Sequence, residues 1–218
     1  MTDHNTKLVL IGGGGHCKTV IDIAASSNRE ILGIIDRSIP AGTKVLGVPV
    51  LGNDDEIPKL VQEYGHDVEF VITVGQLKSS AVRRRLAEEV EKAGGRFAWP
   101  VIAHTAHIGL NAAIGNGTII GNNAVVNPNA HIGRNCIINT GAIIEHDCRI
   151  GDFVHVSTGA IVNGEAVVGE DSFIASHATV INCVTVTDHV VVGAGGVVTK
   201  DITESGTYCG IPAKLISK

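Results

Sequence analysis

From Ile102 to Val198 an aliphatic residue occupies every sixth position without a gap, through Ile108, Ile114, Ile120, Val126 and onward to Val192. Four residues after each stands a small or modest side chain, among them Ala106, Ala112, Thr118, Ala124, Cys136, Cys148, Ala160 and Ala178. Glycine is most frequent at the second place, as at Gly109, Gly115, Gly121, Gly133, Gly151, Gly169 and Gly193. A period of six fits neither the 3.6 of a helix nor the long apolar runs of a buried parallel sheet; it fits short strands broken by tight turns and stacked into a solenoid. Alternate side chains of a strand share a face, so the fifth place and the following first place point inward. The second place and the polar pair after it read as the corner, where small size and positive φ are useful. Three hexads, about eighteen residues, make one coil of a triangular prism.

The prism takes about half of the 218 residues. The remainder is long enough for a core of its own. Lys7–Ile11 reads as a buried strand, Gly12–His16 as a tight turn and 18–26 as a helix. Strands follow at 30–35 and 68–74, an irregular extended stretch at 45–51, and helices at 53–64, with Asn53 as cap, and 79–93, capped by Ser79 or Ser80 and stopped by Gly94-Gly95. Alternating strands and helices indicate a small parallel, Rossmann-like α/β domain, residues 1–100, in front of an all-β prism, residues 101–218. A net charge of −5 leaves no basic footprint for nucleic acid. The polar start argues against a signal peptide, and no apolar run has the length of a membrane span. Five cysteines, odd in number, widely spaced and without a C-x-x-C pair, point to a reduced, cytoplasmic protein.

A strand, then Gly12 to Gly15, then a helix N-terminus is a physical recipe for binding phosphate. The third glycine of the dinucleotide fingerprint is replaced by Cys17, which weakens a nicotinamide reading and leaves a structural turn or a nucleotide diphosphate. Asp36, at the end of the second strand, is placed for a ribose hydroxyl. Of ten histidines, His146 stands at a corner with the acid Asp147 directly after it, a pairing suited to moving a proton near neutral pH. His104, His107, His131, His177 and His189 read as outward bystanders. Outward Val125, Ile137, Ile143, Ile161 and Val167 would leave apolar strips on the prism, the mark of a partner surface.

The unbroken hexads resemble the hexapeptide-repeat, left-handed β-helix acyltransferases. The Gly-His ending of the loop, the strand ending in Asp36 and the strand ending in Val74-Gly75 are similar, over residues 7–215, to one branch of them. That branch contains the bacillosamine and perosamine N-acetyltransferases and the sialic acid O-acetyltransferases. The resemblance implies that Gly14, Gly15, His16, Asp36 and Gly75 grip a nucleotide-linked amino sugar. It makes His146 the general base, oriented by Asp147, with Asn139 positioning the reacting amine. It assigns acetyl-CoA to His155, the N–H of Gly164, Ser176 and Ala194, with a closing motif at 210–214. Arg37 stands where some relatives carry a second acid. The implied activity is direct acetyl transfer, without a metal, to a UDP-4-amino-4,6-dideoxy-N-acetylhexosamine, in a homotrimer with shared sites. GDP-perosamine or a sialic acid hydroxyl is the nearest alternative acceptor. A zinc lyase on the same prism would need a close histidine pair, which the spacing of His146 and His155 fits poorly. A non-catalytic sugar-nucleotide sensor would leave His146 without a role.

Overall fold

The computed structural model of the chain describes residues 6–217; residues 1–5, which carry most of the polar start, lie outside the described residues. The first half is a five-stranded sheet in the order β3-β4-β2-β1-β5. Its strands are β1 (Lys7–Ile11), β2 (Ile31–Ile35), β3 (Lys44–Val45), β4 (Val48–Gly52) and β5 (Val68–Ile72). All pair in parallel except the short β3–β4 hairpin, which replaces the single irregular stretch expected at 45–51. Helices α1 (Gly15–Ser26), α2 (Glu56–Tyr64) and α3 (Ala81–Lys92) cover the sheet. Helix α1 starts three residues earlier than the sequence suggests, directly on the last glycine of the loop. The expected caps hold only in part: at the start of α3 Ser79 Oγ accepts the Ala81 N–H at 3.2 Å, while Ser80 occupies the N-cap position without a side-chain cap bond. Asn53 closes a turn, its Oδ1 accepting the Asp55 N–H at 3.0 Å, and the hydroxyl of Ser80 is turned to Asp171 instead.

The second half is the prism. Strands β6 (Val101–Ile102) to β22 (Val197–Val198) are two residues long, apart from β21 (Val190–Val192). Each pairs in parallel with the strand one coil away, for example Val125 with Ile143 and Ile137 with His155, a register of eighteen residues. Three faces result. The first runs from β6 through β9 (Ile119–Ile120), β12 (Ile137–Ile138), β15 (His155–Val156) and β18 (Phe173–Ile174) to β21, and is extended by β23 (Gly206–Cys209) and β24 (Lys214–Ser217). The second runs from β7 (His107–Ile108) to β22, and the third from β8 (Ala113–Ile114) to β20 (Thr185–Val186). Inward aliphatics and small residues form one continuous core from Ile120 to Ile202, while Ile102, Ile108 and Ile114, in the opening coil, are only partly buried. Inward polar side chains bond to the prism's own backbone: Thr118 Oγ1 donates to Gly133 O at 2.8 Å and accepts the Cys136 N–H at 2.9 Å. Cys136 and Cys148 lie in the same core, as expected for small apolar fillers.

The corners carry both expected demands, small size and positive φ, at different places. Positive φ falls on the fourth place of every hexad from Asn111 (58°) to Gly195 (65°), and on Asn, Asp, His, Glu, Cys or Phe as well as Gly. Glycine at the second place answers a different demand. A Cβ on Gly115 would lie 2.6 Å from Arg134 N, and one on Gly109 2.6 Å from Pro128 N, both in the backbone of the next coil. The glycines are there because coils stack at β-sheet spacing.

The two halves share their cores. On one side of the sheet Leu8, Leu10, Val20, Ile23 and Val71 pack with Ala98, Val101, Ala103 and Ile119 of the opening coil; on the other, Phe70, Ile72, Leu86 and Val90 pack with Phe153. The first half therefore lies on the prism's first face, and the outward residues Ile119, Ile137, His155 and Phe173 of that face are buried. This corrects the reading of Ile137 as an exposed apolar residue. Val125, Ile143 and Ile161, on the uncovered second face, remain half-exposed, as does Val167 on the third. Gly115→Ala should cost about 1–3 kcal/mol, because overpacking must spread two coils. A lowered denaturant midpoint at constant m-value is the expected result; an unchanged midpoint would show that the corner can open.

Candidate active site

Strand order reverses between β1 and β5, the place where an open α/β sheet leaves a ligand crevice beyond its strand ends. The glycine loop after β1 and Gly75 after β5 meet there. The four loop glycines are not equivalent. Gly12 has φ 109° and faces Val74, and a Cβ on Gly13 would meet Ile39 at 2.6 Å. Gly14 and Gly15 have ordinary φ and nothing within 4 Å of an added Cβ. Packing does not require glycine at either. What both provide is bare backbone at the start of α1, whose N-cap, Gly14, carries no side-chain cap hydrogen bond, so the helix presents N–H groups and the positive end of its dipole.

Asp36 is more deeply engaged than the sequence implies. Its Oδ2 accepts the Gly13 N–H at 2.7 Å, and its Oδ1 accepts those of Ser38 and Ile39 at 2.7 and 3.0 Å. Burial pushes its carboxyl up, but these three backbone bonds outweigh it and hold it below the usual carboxylate range. Asp36 thus shapes the loop itself. His16, in the first turn of α1, is pushed down to about 4, by burial first and by the Arg83 charge second. Its neutral imidazole has a buried Nε2 without a hydrogen-bond partner among the described residues. Gly75 lies beside it, its added Cβ 4.0 Å from His16 Cβ.

His155 joins this cluster from the prism. It is 6% exposed, with Nδ1 2.8 Å from the carbonyl of Gln76 and Nε2 3.3 Å from Asn139 Nδ2. Burial drives it down to about 3, so it is neutral at every physiological pH. Asn139 lies on the corner between the first and second faces, in the same stack as Ser157 and Ser176, whose hydroxyls are 3.2 Å apart, and the exposed Ala194.

His146 and Asp147 occupy a different corner, between the second and third faces. The ring is exposed, with Nδ1 2.8 Å from Asp147 Oδ2. The Asp147 hydrogen bond raises its pKa above 6.5, and the charge of Asp147 and those of Glu145 and Glu165 act in the same direction. Asp147 is held in turn by Asn129 Nδ2 at 3.2 Å. The imidazole lies over Gly164, where a Cβ would come within 2.7 Å of Nε2. Gly164 O accepts the Cys183 N–H at 3.0 Å, while among the described residues its own N–H has no backbone acceptor. The sequence-derived residues therefore fall into two groups, one around the loop, His155 and Asn139, the other around His146. Among the described residues no cluster of three or more His, Cys, Asp or Glu side chains could hold a metal ion.

Three residues escaped the sequence reading. Gln76, Arg83 and Asp171 are buried at the junction of the halves. Arg83 carried the one legible signal: it stands in the apolar stripe of α3 with Leu86, Ala87 and Val90, three, four and seven residues on.

Two family models match the chain: the PglD N-terminal domain over residues 7–90 and the bacterial transferase hexapeptide repeat over 111–146. An alignment of 127 residues at 30% identity links it to an uncharacterised protein of Acanthamoeba polyphaga mimivirus; it includes 58% of this chain and only 23% of that protein's length. Among solved structures, a mutant of perosamine N-acetyltransferase from Caulobacter crescentus, in complex with CoA and GDP-perosamine, is 32% identical with a TM-score of 0.87, covering 97% of both chains. The acetyltransferase domain of PglB from Neisseria gonorrhoeae, in complex with acetyl coenzyme A, is 31% identical with a TM-score of 0.87, covering 97% of this chain and 100% of that one. WeeI from Acinetobacter baumannii, at 24% identity and a TM-score of 0.78, covers 97% and 100% and shares the fold. With its parallel α/β half and left-handed β-helix, the chain belongs to the hexapeptide-repeat nucleotide-sugar N-acetyltransferases of the perosamine and PglB/PglD type.

Proposed function

We propose that the chain moves the acetyl group of acetyl-CoA to the amino group of a nucleotide-linked amino sugar. The observation that carries the reading is the exposed His146 imidazole, polarised by Asp147 and lying over Gly164. An amine bound near neutral pH must shed a proton as it attacks the thioester carbonyl. His146 takes that proton, the N–C bond forms, the C–S bond breaks and CoA leaves as the thiolate. The Gly164 N–H is available to the oxygen on which negative charge develops. The glycine loop holds the nucleotide diphosphate at Gly14 and Gly15, with His16 and Gly75 beside it and Asp36 keeping the loop in shape. The relatives bound to GDP-perosamine and to acetyl coenzyme A support this substrate pair.

The reading extends to a homotrimer. Of the residues assigned to CoA, Gly164 lies on one corner and Ser176 and Ala194 on another, with the second face between them, while His155 lies on the covered first face. That face carries the half-exposed strip of Val125, Ile143 and Ile161. Both features favour sites shared between neighbouring copies, each supplying one corner. A reducing cytoplasm suits five unpaired cysteines. No helix among the described residues is long and apolar enough to cross a membrane.

Screening UDP-, GDP- and dTDP-amino sugars with acetyl-CoA, read by free-thiol release, tests the activity; no turnover with any of them would overturn it. His146→Ala should lower kcat by about 10²–10⁴-fold with little change in either KM, and near wild-type kcat would remove His146 from the chemistry. Because Asp147 raises the pKa of His146, the wild-type rate should fall as pH drops below a value above 6.5, where the base is already protonated. In Asp147→Asn that acidic limb should move to lower pH; a limb that stays in place belongs to another group, such as the substrate's ammonium. His155, at about 3, should contribute nothing to it. Gly14→Leu should raise the KM for the nucleotide sugar and leave that for acetyl-CoA unchanged, since a Cβ there has no neighbouring atom within 4 Å; equal losses in a folded variant would dissociate the loop from the nucleotide. In sedimentation a stable, active monomer would exclude the shared site.

A further inference from the structure

We propose that Gln76 is a positioning residue for the acceptor end of this site, acting through His155 on the Asn139 carboxamide. The inference rests on the acetyl-transfer reading. The hydrogen bonds at the two ends of the chain fix its direction independently. At one end, the Gln76 carbonyl can only accept, so His155 Nδ1, 2.8 Å away, carries the proton and donates it. At the other, the Thr140 backbone N–H can only donate, so the Asn139 oxygen it meets at 2.8 Å is correctly assigned as Oδ1. Asn139 Nδ2 therefore faces His155 Nε2, at 3.3 Å. An Nε2 that receives an N–H must be the unprotonated nitrogen, and this agrees with the tautomer required by Gln76. One N–H of Asn139 is held by His155, which leaves the other at a fixed angle for an acceptor substrate.

Gln76 is itself locked. It is 1% exposed, its Nε2 donates to Asp171 O at 3.1 Å, and its Oε1 accepts from Arg83 Nη1 at 3.1 Å. Arg83 is equally buried and donates through Nη2 to the carbonyl of Asn135. A buried cation held by neutral oxygen acceptors is a poor source of stability but a strong directional anchor. The loop after β5, which lines the nucleotide crevice through Gly75, thereby sets the orientation of a prism residue. Its position is transmitted to the Asn139 carboxamide, whose remaining N–H and second Oδ1 lone pair face the acceptor sugar.

The test is the imidazole tautomer, read by long-range ¹H–¹⁵N NMR on histidine-labelled protein without substrate, with the His155 signal identified by its loss in His155→Phe. The wild type should show a single Nδ1–H tautomer. Gln76→Leu, which removes both side-chain anchors at similar volume, should show mixed tautomers. Its kcat should fall by up to about 100-fold, as expected for a misplaced reacting group, with KM for acetyl-CoA unchanged. Should Gln76→Leu not fold, Arg83→Met, which removes one anchor, is read in the same way. An Nε2–H wild type, a folded variant with an unaltered tautomer, or mixed tautomers with unaltered kcat would each overturn the proposal. If the wild type acetylates no amino sugar, the functional reading fails, and the spectra still decide whether Gln76 sets the tautomer.

Discussion

Hydrogen bonding from one coil to the next repeats every eighteen residues, so each corner of the prism carries residues in vertical columns at β-sheet spacing. On the corner between the third and first faces the column reads Asn135, Phe153, Asp171. Helix α3 and the segment before it grip all three: Arg83 bonds the Asn135 carbonyl, Arg84 lies 4.5 Å from the Phe153 ring centroid, and Ser80 and Arg84 bond Asp171. Phe153 takes a left-handed conformation at φ 57°, a cost of about 1–2 kcal/mol for an L-residue. Burial of its ring, roughly 1.5–3 kcal/mol, and the stacked guanidinium offset that cost. Burial pushes the Asp171 carboxyl up, and its bonds to Arg84 and Ser80 more than reverse this, so the carboxylate stays charged at the junction.

The same columns separate two histidines into opposite electrostatic roles. His146 is on an open corner, and its bond to Asp147 stabilises the protonated form. His155 is on the covered face, and burial removes its protonated form from the physiological range. Environment alone distinguishes a group able to exchange a proton from one fixed as donor and acceptor. The cysteines follow the same logic: burial pushes the Cys136 thiol up to about 12 and that of Cys148 to about 11, which leaves neither as a nucleophile.

Periodicity made the prism legible residue by residue, because every first-place aliphatic obeys one geometric rule. The alternation of strands and helices was legible for the same reason. The corners were legible as places of small size and positive φ, but which place carries which demand was not: only the distance from a second-place glycine to the next coil separates it from the positive φ of the fourth place. The glycine loop was legible as a tight turn between a strand and a helix, yet the division between Gly12 and Gly13, required by φ and packing, and Gly14 and Gly15, required by neither, needed coordinates. Ile137 was placed outward, correctly by alternation, and the same rule turns His155 outward, but alternation does not say that another part of the chain covers that face. Gln76 and Asp171, 95 residues apart in sequence, carry no local pattern at all.

In the proposed reaction, two halves that each hold one substrate face a geometric problem that neither solves alone. The amine and the thioester carbon must meet within a few tenths of an ångström, and an error of about 1 Å can cost 10²-fold in rate. A flexible hinge near Pro100 would not meet that tolerance. Apolar burial joins the halves at Ala98, Val101, Ile119 and Phe153, but apolar contact is non-directional and tolerates sliding. Directionality comes from the polar contacts set among it, Arg83 to Asn135, Gln76 to Asp171 and His155, and Arg84 to Asp171 and Glu170. Burying Arg83 is expensive enough to push its guanidinium down to about 10. An apolar residue of the same shape would be a cheaper way to fill the space. The cation is understandable as the part that fixes the angle at which one half sits on the other, and through Gln76 that angle reaches the site.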